Sequence, residues 1–135
     1  MPDSLVGRLL GTADMLKSSI EEALAVADLS MAKFGVLRIL ADAGAPMALS
    51  EVAERNKCVR SNITQLVDRL EKDGLVRRIL DPKDRRIRRA ELTVAGQEAH
   101  IAGARILATQ ERELLGGLSE AHRAALVVAM ERLHG

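Results

Sequence analysis

The chain has no tryptophan and no tyrosine, and Phe34 is its only phenylalanine. Its core must be aliphatic, with methionine filling irregular gaps, and a pocket that relies on ring stacking or a phenolic hydroxyl has almost nothing to be built from. The one cysteine, Cys58, excludes an intrachain disulfide, so stability has to come from packing. His100, His122 and His134 are scattered, with no second ligand at metal-binding spacing, and no metal site is expected. Ser119 and His122 come nearest to a hydrolytic pair, but no nucleophile elbow surrounds them, and they read as a helix cap and a surface histidine. Nothing here carries catalysis, so neither an enzyme nor a cofactor is expected. Apolar runs stop well short of the roughly 20 residues of a membrane span. The opening MPDSLVGRLL lacks the basic, apolar, small-residue order of a signal peptide. A cytoplasmic chain with no membrane partner is the expectation.

What is present is one domain's worth of soluble sequence: 135 residues, 47% hydrophobic and 29% charged. The net charge of +1 conceals an uneven distribution. Residues 1–46 carry four basic and six acidic side chains, residues 47–89 twelve and seven, and residues 90–135 four and six, giving −2, +5 and −2. Within the middle third, Arg77, Arg78, Lys83, Arg85, Arg86, Arg88 and Arg89 are opposed along the chain only by Asp81 and Asp84. Such a density suits phosphate neutralisation, although a run of charge is also what an ordinary solvated face looks like.

The apolar spacing predicts mainly helices. Leu5, Leu9, Ala13, Leu16, Ile20, Leu24 and Ala27 alternate at threes and fours, which keeps one seam on a helix over 4–27 that wants a partner. Ser30 caps the next helix, whose Phe34, Val36, Leu37, Ile39 and Leu40 leave hardly a polar side and mark it as central; Gly44 and Pro46 end it. A short helix over 49–55 buries Leu49, Val52 and Ala53. The turn 56–58 then leads into residues 59–73, the stretch that organises the chain. Here Ile63, Leu66, Val67 and Leu70 form one stripe while Ser61, Gln65, Asp68 and Lys72 face away. Two helices across so short a turn have helix-turn-helix spacing.

After Gly74 the period shortens. Residues 75–80 and 87–93 read as strands flanking the polar, proline-containing loop 81–86, which makes a two-stranded hairpin with a basic tip, the wing of a winged helix. Thr93 caps a helix over 94–115 with Ala95, Ala99, Ala102, Ile106 and Leu107 on one side, and Gly96 and Gly103 allow close backbone approach. Gly116 and Gly117 break it, and Ser119 caps a last helix over 120–133 whose apolar residues are Ala125, Leu126, Ala129, Met130 and Leu133. The expected fold is a mainly α winged helix-turn-helix, about six helices plus a two-stranded β-wing. A single domain spans 1–135, with winged-helix residues 29–93 and dimerisation helices over 4–28 and 94–135. Terminal helices with apolar faces and few partners point to a symmetric homodimer; the rival is that they fold back on their own chain.

The first turns of the 59–73 helix offer Arg60, Ser61, Asn62, Thr64 and Gln65, whose donors and acceptors match base edges in a major groove, with Arg69 further along the same helix. Double-stranded DNA is thus the expected partner. The rival class is a winged helix that docks a protein, but the +5 middle segment and an aromatic-free polar face speak against it, since protein interfaces enrich Tyr, Trp and Met.

The run Leu29-Ser30-Met31 with Phe34-Gly35-Val36-Leu37, then LSEVAER, NITQLVDRLEKDGLVRR, DPKDRR and Leu92-Thr93 with Gly96, resembles the MarR family of winged-helix transcription regulators. The resemblance implies a homodimeric regulator, usually a repressor, on a pseudo-palindromic operator, often released by a small phenolic molecule or an oxidant. It implies base and phosphate contacts for Arg60, Ser61, Asn62, Thr64 and Gln65, a minor-groove role for Arg86, and a holding role for Asp84. The electrostatics agree, because a narrow minor groove attracts an inserted arginine. Arg77, Arg78, Lys83, Arg85, Arg88 and Lys57 are assigned to phosphates. The resemblance also implies an effector pocket between residues 9–20, 31–41 and 99–107, where Arg8, Lys17, Lys33 and Arg38 are the carboxylate-pairing candidates and surface solubility is their bland reading. Met15, Met31, Met47 and Met130 are either pocket lining or gap-fillers.

Two places depart from the family. Lys57 and Val59 stand where glycine and a serine cap are usual, which leaves Asn56 to supply the left-handed conformation. Cys58, beside Lys57 and Arg60 ahead of a helix, reads either as a redox-sensitive thiol or as core packing; the family has a small apolar residue there, which favours packing.

Overall fold

The computed structural model describes residues 3–57 and 60–135. Among them the elements run α1 (Leu5–Ala25), α2 (Met31–Ala43), β1 (Met47–Ala48), α3 (Leu49–Arg55), α4 (Arg60–Lys72), β2 (Val76–Leu80), β3 (Arg88–Leu92), α5 (Val94–Leu115) and α6 (Glu120–Leu133). This is the expected winged helix. The hydroxyl caps fix most of its helix starts. Ser4 Oγ accepts from Gly7 N at 2.9 Å, Ser30 Oγ from Lys33 N at 3.1 Å and Thr93 Oγ1 from Gly96 N at 3.0 Å. Ser119 Oγ accepts from His122 N at 3.1 Å, while His122 Nδ1 accepts from Ser119 N at 3.3 Å, so this histidine closes a capping box.

The core lies beneath α4. Leu37 and Val36 of α2, Val52 of α3, Ile63, Val67 and Leu70 of α4 and Ala90 of β3 are fully buried, and Val76 nearly so. Burial of each larger side chain contributes about 1.5–3 kcal/mol. The apolar stripe read from spacing is thus the buried side of α4, with Leu66 at its half-exposed edge.

The sheet has one more strand than the sequence pattern predicts. β2 and β3 pair antiparallel from Val76↔Leu92 to Leu80↔Arg88, and β1 pairs on the far edge of β3 through Met47↔Ala90 and Ala48↔Arg89, giving the order β1-β3-β2. Two residues are too few to show alternation, so periodicity cannot reveal β1. The pairing covers an edge that would otherwise expose unpaired backbone groups.

Two glycines of α5 determine how closely it approaches. A Cβ on Gly96 would lie 1.9 Å from the Leu75 carbonyl oxygen, and one on Gly103 would lie 2.6 Å from the Phe34 ring. Thr93 completes the junction: its N–H donates to Leu75 O at 3.1 Å and its hydroxyl to Gly74 O at 2.6 Å. The exit of α4 and the start of α5 are therefore fastened together.

The terminal helices divide. The C-terminal half of α1 packs inward through fully buried Leu24 and half-buried Ile20, near Ile106 and Leu107 of α5. Its N-terminal half leaves Leu5, Val6, Leu9 and Leu10 exposed, and every residue of α6 is exposed, Leu126, Val127, Val128, Met130 and Leu133 among them.

Candidate nucleic-acid interface

The polar side of α4 carries Asn62, Thr64, Gln65 and Arg69, all exposed. Arg60 and Ser61 occupy the first turn of α4, but their side chains lie outside the described residues. So do Cys58 and Val59, and with them the redox reading and the question of a cap. The turn ahead of α4 corrects one expectation. Asn56 is ordinary right-handed backbone with φ −84°, and Lys57 takes the left-handed conformation with φ 52°. The glycine-like position keeps its conformation although the residue has changed, at a cost of roughly 1–2 kcal/mol for a non-glycine.

The wing tip is built on two aspartates. Asp81, 7% exposed, accepts at Oδ1 from the backbone N–H of Lys83 at 2.7 Å and of Asp84 at 3.1 Å. Its Oδ2 accepts from Arg89 Nε at 2.7 Å. The Lys83 amide, and after it the Arg89 side chain, hold this carboxyl below the usual aspartate range. Asp84 does the same one turn further on. Its Oδ1 accepts from the Arg86 backbone N–H at 3.0 Å and from Arg86 Nε at 3.1 Å, and its Oδ2 from Nη2 at 3.1 Å. The Arg86 side chain is the main cause of its lowered pKa. Arg86 is pushed further up in turn by the same contact and stays charged, with its side chain 90% exposed. The acid two residues earlier thus fixes how an otherwise free arginine projects.

The other cations sort into two kinds, and here the linear count of opposing acids is corrected. Arg77 pairs across the strands with Glu91, Nη2 to Oε1 at 2.6 Å. Arg78 reaches Asp68 and Glu71 of α4, and Arg89 is taken by Asp81. Four more of the assigned cations, Arg69, Lys83, Arg85 and Arg88, are exposed and have no ion pair among the described residues. Cross-strand and helix-to-strand neighbours are invisible in a count along the chain, which is why the run looked less opposed than it is. One groove of about 520 Å³ brings the two halves of the site together, lined by Ser50, Thr64, Asp68, Arg78, Arg86 and Arg88 among others.

A groove of about 480 Å³ overlaps the expected effector region at Leu16, Ile20, Arg38 and Leu107 and runs beyond it to Glu111 and Leu114. Lys33 is not available to it as a carboxylate partner: Nζ sits 2.8 Å from Asp73 Oδ2, tying α2 to the end of α4. Of the methionines, Met47 is buried, whereas Met15, Met31 and Met130 are exposed. His100 stacks on Phe34 with centroids 5.5 Å apart. Among the described residues no cluster of three or more metal-ligating side chains forms, and no helix is long and apolar enough to cross a membrane.

The MarR family model matches residues 29–87. The regulator HosA of Escherichia coli O111:H- is 35% identical over 94 residues, 68% of this chain and 67% of that protein. The chain belongs to the MarR family. Another relative, the HTH-type transcriptional regulator YkoM of Bacillus subtilis (strain 168), is 33% identical over 100 residues, 74% of this chain. The match spans 64% of YkoM, a little under two thirds of its length. Among solved structures, the transcriptional repressor CouR of Rhodococcus jostii RHA1, bound to a 23-mer DNA duplex, superimposes with a TM-score of 0.86 at 27% identity, covering 98% of this chain and 94% of that one. The likeness in fold therefore extends over nearly the whole molecule, terminal helices included.

Proposed function

We propose that this MarR-family chain is a sequence-specific transcriptional repressor. It acts as a homodimer in which each protomer lays α4 in a major groove and sends Arg86 into the flanking minor groove. The observation that carries this reading is the joint exposure of Asn62, Thr64 and Gln65 on one element and of Arg86, 90% exposed and braced by Asp84, on the next. Amide side chains can pair with adenine, and a projecting guanidinium suits the negative potential of a narrow A/T-rich minor groove. Arg69, Lys83, Arg85 and Arg88 supply phosphate contacts, which add affinity without sequence information. The exposed apolar residues of α6 and of the first half of α1 are the surface through which two copies join. Two recognition helices about 34 Å apart would then enter successive major grooves. The groove beside Arg38 is where an effector would act on that spacing.

The test is a salt-titrated binding measurement on duplexes selected by the wild-type chain from a random-sequence pool. Sequence-specific binding that persists at physiological salt and weakens steeply as salt rises is the expected result. Arg86→Ala should lower affinity tenfold or more, the about 1–3 kcal/mol of one groove contact, with the fold intact. Salt-insensitive or absent binding would favour the protein-docking winged helix instead, and unchanged affinity in Arg86→Ala would remove the wing from recognition.

A further inference from the structure

We infer that Arg78 is a positioning residue, setting the angle between α4 and the wing, and not one of the phosphate-neutralising cations with which its sequence neighbourhood groups it. The inference rests on the DNA-binding reading above. The Arg78 side chain is only 24% exposed, against 90% for Arg86. Its guanidinium is spent on α4. Nη1 donates to Glu71 Oε1 at 3.2 Å, and Nη2 lies 2.5 Å from Asp68 Oδ1 and donates to the Thr64 carbonyl at 3.2 Å. The Arg78 backbone N–H adds a bond to Glu71 Oε2 at 3.2 Å. Thr64, Asp68 and Glu71 lie on successive turns of one side of the helix, so a single side chain grips α4 along two turns. At its other end Arg78 is held in the ladder opposite fully buried Ala90, in the strand that leads directly to the wing tip.

The geometry uses what distinguishes arginine from lysine, a rigid planar fork whose donors diverge to several acceptors at once. An ammonium, a compact point charge on a flexible stem, does not reproduce that divergent planar fork. The clamp also neutralises two carboxylates on the helix that reads the duplex. Its residues have acquired an order: Arg78 acts on the DNA through Asp68, Glu71 and the α4 backbone, while Arg86 touches the groove itself. A reader requiring two elements in two grooves at once depends on their mutual orientation, and Arg78 is the side chain that spans them.

The two roles predict opposite outcomes on the tightest duplex that the wild-type chain selects from a random-sequence pool. For a positioning residue, Arg78→Lys keeps the charge yet binds at least about tenfold more weakly, the loss expected when charge-assisted bonds go, and its salt slope stays that of the wild type. For a phosphate contact, Arg78→Lys would bind nearly normally, and Arg78→Gln would lower the slope by about 0.9. Asp68→Asn gives the sharper contrast. Removing a negative charge from a DNA-facing helix should tighten binding on electrostatics alone, whereas loss of the clamp weakens it. Because this variant leaves Arg78 in place, it carries the test if the Arg78 variants fail to fold. Retained affinity in Arg78→Lys, tighter binding in Asp68→Asn, or lowered thermal stability with unaltered affinity of the folded protein would each overturn the inference. A wild-type chain that selects no duplex would remove the DNA reading itself, and the inference with it.

Discussion

Gly96 occupies a place where one methyl group is too many. With the Leu75 carbonyl oxygen 1.9 Å from where a Cβ would stand, Gly96→Ala must push α5 away from the exit of α4. The expected cost is about 3 kcal/mol or more, at the upper end of overpacking penalties, read as a lowered denaturant midpoint. A midpoint equal to that of the wild type would mean that the junction yields freely. The same scale shows what one residue type conveys in sequence and what it hides. Thr93 and Gly96 are legible as a cap and a close approach because both act on neighbours a few positions away. Arg78 is not, since its partners Asp68 and Glu71 lie 10 and 7 positions earlier on a different element. Lys57 is a third case. Its left-handed backbone carries no mark in the side chain, and Asn56, next to it, is the residue type that tolerates that conformation.

Among the elements, the helices were the most legible, because hydroxyl caps and apolar stripes are local: α5 and α6 span the residues their spacing predicts. The third strand is illegible because Met47–Ala48 is a single period of alternation, too short to repeat. The wing lies between these cases. Its loop was readable from an aspartate followed by proline, a turn chemistry in which the side chain accepts from amides two and three residues on. Asp81 does so with Lys83 and Asp84, and its titration follows. Its folded-state pKa is lowered, chiefly by the Lys83 amide and then by Arg89, so the unfolded chain binds the proton more readily. The order it contributes is complete above the ordinary aspartate pKa of about 3.9. It is lost as pH falls through the lowered value. Protection of the loop 82–87 amides, taken relative to their intrinsic exchange rate at each pH, should therefore fall below about pH 4 more than protection in the core of α4 does. Asp81→Asn should show fast loop exchange already at neutral pH. Uniform protection across that range in the wild-type chain would show that the carboxylate does not hold the tip.

At the scale of the molecule, the exposed apolar residues are concentrated at the ends of the chain. Leu5, Val6, Leu9 and Leu10 at one end and Leu126, Val127, Val128, Met130 and Leu133 at the other are open to solvent, and clustered exposed apolar side chains mark interaction surfaces. If two copies bury it together, the variant Leu126→Glu/Met130→Glu should sediment as a monomer with unchanged helix content, and it should bind a half-site no better than nonspecific DNA. A wild-type chain that sediments as a monomer would remove the dimer from the proposed function. The sequence pointed to these helices as lacking partners, but spacing could not tell that α1 divides into a half that serves the core and a half that does not. That distinction depends on where α5 runs, and so on the close approach of Gly103, far along the chain, to Phe34.

The shortest strand has the widest mechanical consequence. Ala48 ends β1 and Leu49 begins α3 with no residue between them, while Ala48 itself is laddered to Arg89, the arginine that Asp81 grips where the wing-tip loop begins. There is no slack at that splice. A tilt of the hairpin must be delivered as torque through the main chain to the helix that precedes the turn into α4, so hairpin and helix-turn-helix are geared together by backbone as well as by side chains.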